Sequence, residues 1–419
     1  SATITGIVGT TSLADITLNS SATFNAAITA TNLTIAANKT ATVKDDVTIA
    51  STIALSGSST LEVINTSAMT IAGTITDTGT GNSITVNDND ANTAPNIVTF
   101  SGTVAADTLY IGTSTTAGHA KFTGTTGPTI TSITITGGNH ADEDSTATFN
   151  YALTSTDITL DDNTGDAYLI FAENNSVTIA GTIDGAANGE GTLQITGTLK
   201  TFSNNIGDTY RINVLDINAA TSFSSSVATT TATIDGAINT AASLNVSSTS
   251  AINADVTTTG TQTYTGAVTL NADVILTTTD NNISFGSTIN SLDTTYRDLS
   301  LVTGSGNVSV TGIIGADDKL DVLTVNNTGT LTLSAATTVN TLTLTHTGGT
   351  TIGGTLTATT INLTDTTDAA NITFNGNVSA TTLNTAAEGY NVIFNGTTST
   401  ITNLVTFSNS GSVTFGNGT

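Results

Sequence analysis

The residues best equipped for chemistry in this chain are carboxylates. Asp161, Asp162, Asn163 and Asp166 form the run DDNTGD, in which side-chain oxygens gather around a glycine turn. Hard divalent cations such as Ca2+ take roughly six to eight oxygen ligands, so this run is a candidate calcium ligand set. Asp142, Glu143 and Asp144 form a second candidate set, and Asp317, Asp318 and Asp321 a third. Asp88 and Asp90 make a smaller acidic pair. A helix-loop-helix calcium site needs a glutamate at the twelfth loop position. Counted from Asp161 that position is Ala172, and Glu173 comes one step late. Each cluster also fits a solvated turn, which is the commoner use of Asp and Asn.

Other reactive groups are scattered. His119, His140 and His346 stand far apart, with no HExxH or Cys/His zinc spacing, so they read as turn or strand histidines. Arg211 near Asp208, and Arg297 near Asp293 and Asp298, are the basic–acidic neighbours that a polysaccharide-cleaving enzyme could use. No nucleophile elbow, phosphate loop or dinucleotide fingerprint is present, and Trp is absent. The expectation is therefore a protein that is not an enzyme. Asn32, Asn245, Asn371 and Asn377 begin Asn-x-Ser/Thr triplets, which a chain so rich in Asn and Thr produces by chance. Seven Lys plus Arg against 32 Asp plus Glu give a net charge of −25. The cations are scattered singly, so no basic patch exists for nucleic acid, and an anionic membrane would repel the chain. The same charge keeps a crowded exported protein soluble and offers oxygen ligands to cations.

These groups must be positioned by strands. Only 9% of the 419 residues are charged, against about 25% in ordinary domains, and Thr, Val and Ile are abundant. Apolar residues alternate with Thr or Asn: Val268 and Leu270, Ile283 and Phe285, Leu299 and Leu301, Val308 and Val310, Leu331 and Leu333. Such alternation marks strands with one buried face, and Phe285, Phe374 and Phe394 fall on the buried phase. The phrases NITFNG (371–376) and NVIFNG (391–396) lie 20 residues apart, and SVTFG (412–416) follows at a similar interval. A fixed period of about 20 residues is the mark of a solenoid, whose windings share one core. The predicted fold is all-β, a parallel β-solenoid of short strands with loop insertions. Tandem β-sandwich modules are the alternative, since they also place strands every 8–12 residues or so.

Three regions are expected: short-strand repeats over 1–140, a middle β-repeat region over 141–259, and C-terminal solenoid repeats over 260–419. The acidic stretches 87–96 and 137–146 read as loops, the first ending beside Pro95. Residues 216–262 are poor in large apolar groups, yet Ile234, Ile238, Leu244, Val246 and Ile252 still mark strands. Recurring Asn at one turn is expected to build side-chain ladders between windings. Some twenty windings at about 4.8 Å each would make a rod roughly 100 Å long.

GTQTYTGAVTLNADVIL (260–276), NISFGSTINS (282–291) and DLSLVTGSGNVSVTGIIGADDKLDVLTV (298–325) resemble repeats of very large bacterial surface proteins of the filamentous-haemagglutinin and autotransporter-passenger kind. The C-terminal NITFNG and NVIFNG phrases look like rickettsial-type outer-membrane passengers. The composition, acidic and without Cys, is similar to that of bacterial surface-layer proteins. The resemblance implies an exported, extracellular protein of the bacterial cell surface that serves as a coat or an adhesin. An autotransporter also carries a membrane barrel, and no aromatic girdle of that kind is seen. No run of about 18 apolar residues occurs, so no transmembrane helix is expected. The expected function is structural: self-assembly into a surface layer or filament, with Ca2+ as the possible cofactor and the chain itself as partner. An adhesin stalk binding a cell-surface glycan or receptor is second, and a polysaccharide-acting β-helix enzyme third. The chain reads as a piece of a longer protein.

Overall fold

A computed structural model describes residues 2–88 and 95–416, and every structural statement below concerns these. Among them there is no helix; strands run from one end to the other. The chain falls into two compact units, Ser1–Ala219 and Ala220–Thr419. The sequence-based boundaries near 140 and 259 lie inside these units.

Within the first unit strands pair in parallel with the strand one winding later. Thr23 is in register with Thr42, Thr42 with Glu62, and Glu62 with Thr85. Thr85 follows to Tyr110, Tyr110 to Thr134, and Thr134 to Thr159. Parallel neighbours need a full crossover between them, whereas sandwich modules are built from antiparallel strands. The architecture is therefore a parallel β-solenoid. Its winding length varies: Thr42 bonds Glu62 20 residues on, and Ser132 bonds Asp157 25 residues on.

Each winding has three walls because its strands bend. Ile28–Ile35 shows how: Ile28 and Ala30 point inward, the alternation breaks, then Leu33 and Ile35 point inward from the next wall. The pairing with Val47–Leu55 shifts register between Ala30 and Asn32, at that same bend. The next wall is Thr40–Val43, with Ala41 and Val43 inside. Burying each such side chain stabilises by about 1.5–3 kcal/mol, and stacked windings share that core. A column of phenylalanines fills part of it. Phe100, Phe122, Phe149 and Phe171 stack at centroid distances of 4.9, 4.6 and 5.8 Å, and Phe202 meets Phe171 edge-on at 5.3 Å. Each pair adds about 0.5–1.5 kcal/mol beyond its buried area.

The second unit repeats the arrangement. Outward-facing Thr263, Ser284, Ser309, Thr332, Thr351 and Thr373 succeed one another in register. The thin stretch 220–262 belongs to this solenoid: Thr221–Phe223, Val227–Ile234, Leu244–Val246 and Ser250–Ile252 are strands with buried alternate residues. Tyr264 stacks on Phe285 at 5.2 Å, and Phe394 on Phe374 at 5.0 Å. One corner is lined inside by polar groups. Thr258, Thr278, Thr303, Asn327, Thr347 and Thr366 are all buried there. The Thr258 and Thr303 hydroxyls donate to the carbonyls of Gly260 and Gly306 at 2.7 Å, closing the turn from within. A buried hydroxyl without such a bond would cost about 1–3 kcal/mol.

The expected Asn ladders are present. Asn391 donates to Asn371 at 3.0 Å, Asn395 to Asn375 at 2.9 Å, and Asn384 to Asn362 at 2.8 Å. A second use of Asn and Asp is more widespread. Their side-chain oxygens accept from backbone amides of the next winding. Asn282 receives Asn307 N at 2.8 Å, and Asn307 receives Thr330 N at 2.8 Å. Asp255, Asp280 and Asp368 receive Ile275, Ser305 and Gly389 in the same way.

Candidate functional site: an acidic loop edge

In the first unit the loops between successive windings fall on one edge, because each follows the same wall. They cover residues 112–118, 137–144, 161–166 and 186–189. Gly112 opens the first in the left-handed region, at φ +75 degrees, and a Cβ there would lie 2.2 Å from both Ser145 Oγ and Thr136 O. Only glycine fits that approach. Asn163 ties the loops together, donating to Ser114 O at 2.8 Å and to Gly138 O at 3.3 Å.

This edge unites two of the three candidate sets. Asp144 Oδ1 accepts from Asp166 N at 2.9 Å, so the Asp142–Asp144 loop sits against the Asp161–Asp166 loop. Asp162 spends both oxygens on amides: Oδ1 receives Ala167 N and Oδ2 receives Gly191 N, each at 2.7 Å. Glu143 Oε2 accepts from Asn139 N at 3.1 Å, and Tyr168 donates to Asp166 Oδ2 at 3.2 Å. Asp142 and Asp166 are exposed, while Asp161, Asp162, Glu143 and Asp144 are half-buried. Buried Asp88 accepts from Asn96 N at 3.1 Å. Its sequence neighbour Asp90 lies outside the described residues, as does most of the 87–96 loop.

The electrostatics follow from crowding. Burial raises the Asp162 pKa, two backbone hydrogen bonds oppose the rise, and Asp166 and Asp161 add to it. Burial, opposed by the Ala187 amide, likewise raises Glu190, with Asp161 and Asp162 contributing. Tyr168 is pushed up to about 12, by burial first and then by Asp166 and Asp144. His119 is lowered by burial, against the pull of Asp88 and Asp144. His140 is on a loop of this edge; His346 stands exposed in the second unit, near the end of the strand Thr337–Thr347, with a left-handed φ of 55 degrees.

The third set, Asp317, Asp318 and Asp321, belongs to the second unit and is dispersed. Asp317 meets Asn290 Nδ2 at 3.4 Å, Asp318 O receives Ser291 N at 3.1 Å, and Asp321 Oδ1 receives Asn340 Nδ2 at 2.6 Å. Asp321 instead extends a column of carboxylates. Asp273 accepts from Asp298 N at 3.0 Å, and Asp298 from Val322 N at 3.1 Å. Burial raises the Asp298 pKa, and the charges of Asp273 and Asp321 add to the rise. Among the described residues no three His, Asp or Glu groups are arranged to hold a metal ion. The arginines are not knotted to their sequence neighbours either: Asp208 receives Asn205 Nδ2 at 3.1 Å and Asp293 receives Thr295 N at 2.8 Å.

One buried cation has no counterpart in the sequence reading. Lys200 is 1% exposed, at an inward position paired with Val177. Its ammonium donates to Glu173 O, to Asn175 O at 3.1 Å and to Asn175 Oδ1 at 2.8 Å. Burial lowers its pKa, and Glu173 opposes that. Its only sequence signal is a lysine on the buried phase of a strand, two residues before Phe202.

Fold and edge together define a parallel β-solenoid whose carboxylates mainly cap its own windings. No family model, curated protein or solved structure matches the chain.

Proposed function

We propose that this chain is a structural component of an exported bacterial surface coat, assembling with copies of itself into a layer or filament. One observation carries the reading: many of the polar side chains that could do chemistry join winding to winding. Asp162, Asp144, Asp255, Asn282 and Asn307 all cap backbone amides of a neighbouring winding or loop. That use ties each winding to the next, so similar polar rows are presented by successive windings. Periodic surfaces suit repeated contacts between copies. A net charge of −25 opposes close packing, so divalent cations, with Ca2+ the first to try, promote assembly by neutralising the acidic edge. The localisation is extracellular. No helix among the described residues is long and apolar enough to cross a membrane.

The test is electron microscopy and light scattering of the purified protein with calcium and with chelator. Sheets or fibres are expected in calcium. A monodisperse monomer under both conditions rejects the reading. The adhesin reading draws support from the gathering of loops 112–118, 137–144 and 161–166 on one edge. It predicts binding to one glycan or receptor that is lost on shortening the 137–144 loop, with no self-association.

A further inference from the structure

In the second unit, residues 322–364 contain no Asp, Glu, Lys or Arg, although the chain carries 39 such residues in all, 32 acidic and seven basic. The longest strands of that unit are Thr337–Thr347, which lies there whole, and Leu356–Thr366, which lies there but for Asp365 and Thr366 at its end. On the wall that follows their bend, Thr341, Thr343 and Thr345 point outward between buried Leu342 and Leu344. Thr324 is in register with Thr343, Thr343 with Asn362, and Asn362 with Asn384. Beside this row, Thr341 is in register with Thr360, and Thr360 with Thr382. The groups are bonded into a lattice. Thr345 Oγ1 meets Thr364 Oγ1 at 3.0 Å, Asn362 donates to Thr343 Oγ1 at 3.3 Å, and Asn384 to Asn362 Oδ1 at 2.8 Å.

We infer that this uncharged Thr/Asn wall is a lateral contact surface for the same wall of a second copy. The inference rests on the self-assembly reading above and says where the copies meet. Like charges brought together repel, and most of the chain's carboxylates lie before residue 322. A neutral wall is where two such copies approach without that penalty. Thr hydroxyls and Asn amides each donate and accept, so a wall made of them complements itself, as a two-fold contact requires. At about 4.8 Å between strands and 3.3 Å per residue, the four stacked strands of this wall span on the order of 300 Å². That is well below the roughly 800 Å² per partner of a stable complex. One contact is therefore weak alone and becomes effective through repetition in an array.

The chain has no cysteine, so single cysteines report contacts cleanly. Thr343→Cys is expected to form a disulfide-linked dimer in assembled protein under mild oxidation. Ser114→Cys, exposed on the acidic loop edge of the first unit, is expected not to. Thr343→Asp combined with Thr360→Asp should raise the concentration needed for assembly at least tenfold, with the circular dichroism of the monomer unchanged. Assemblies that form normally but cross-link through Ser114→Cys and not Thr343→Cys, or that tolerate the two aspartates, overturn the inference and leave the self-assembly reading standing. A wild-type chain that never assembles overturns both.

Discussion

The acidic edge of the first unit and the neutral wall of the second are made by the same fold and treat polar side chains in opposite ways. At the edge the chain leaves the strand, and each loop brings carboxylates that the next loop's amides partly satisfy, as Asp144 does for Asp166. On the wall the chain stays in the strand, and Thr and Asn bond sideways to their own register partners. The edge stores like-charge repulsion; the wall stores none. The difference teaches that a solenoid segregates charge by position in the winding: loops carry it and flat walls can exclude it.

The largest effect comes from removing core in the unit that carries the edge. Phe149→Ala deletes a ring stacked between Phe122 and Phe171 under the acidic edge. It should cost about 3–5 kcal/mol, read by denaturant unfolding. If the loss is local, hydrogen exchange accelerates near residues 120–171 and the neutral wall keeps its protection. Lys200→Met comes next. It leaves the Glu173 and Asn175 carbonyls without their donor, at about 1–3 kcal/mol for each buried group left unsatisfied. A variant as stable as the parent would refute the assignment of Lys200 as a corner cap.

A smaller effect separates edge from wall by pH. Asp162, Glu190 and Asp298 have folded-state pKa values raised by burial and by neighbouring charges. The folded state therefore binds protons more readily than the unfolded one. The stability they contribute is present in acid and is lost as pH rises through the raised values. Thermal unfolding should thus show a gain on moving from neutral toward mildly acidic pH. Asp162→Asn with Glu190→Gln should flatten that slope, and an unchanged slope would show that the edge is not its source. The smallest effect belongs to the wall. Thr343→Val keeps shape and strand propensity, and should change stability by no more than about 0.5 kcal/mol.

Much of the fold was legible because its signals are local. Alternation at Leu331 and Leu333, and the return of NITFNG as NVIFNG, follow from strands stacked one winding apart, and their pairing bears this out. The Asn ladders followed from the same period. The edge was harder to read. Asp142–Asp144 and Asp161–Asp166 look like separate clusters, because their contact depends on winding length, which insertions alter between 17 and 29 residues. Asp317, Asp318 and Asp321 look like one cluster, yet they turn to different partners, because adjacent residues at a strand entry point in different directions. The buried Lys200 and the inner corner Thr258–Thr303 gave no warning, since a lysine or threonine in a strand usually faces water.

The amino-acid order alone determined which apolar residues face inward along each wall, because a strand alternates from one residue to the next. It also determined the charge inventory, including the absence of charged residues from 322 to 364. Only the tertiary structure decided which windings lie next to each other, and so which carboxylates meet and which amides they cap. The physical reason is that every such contact crosses a whole turn of the solenoid, and its register is set by the core beneath.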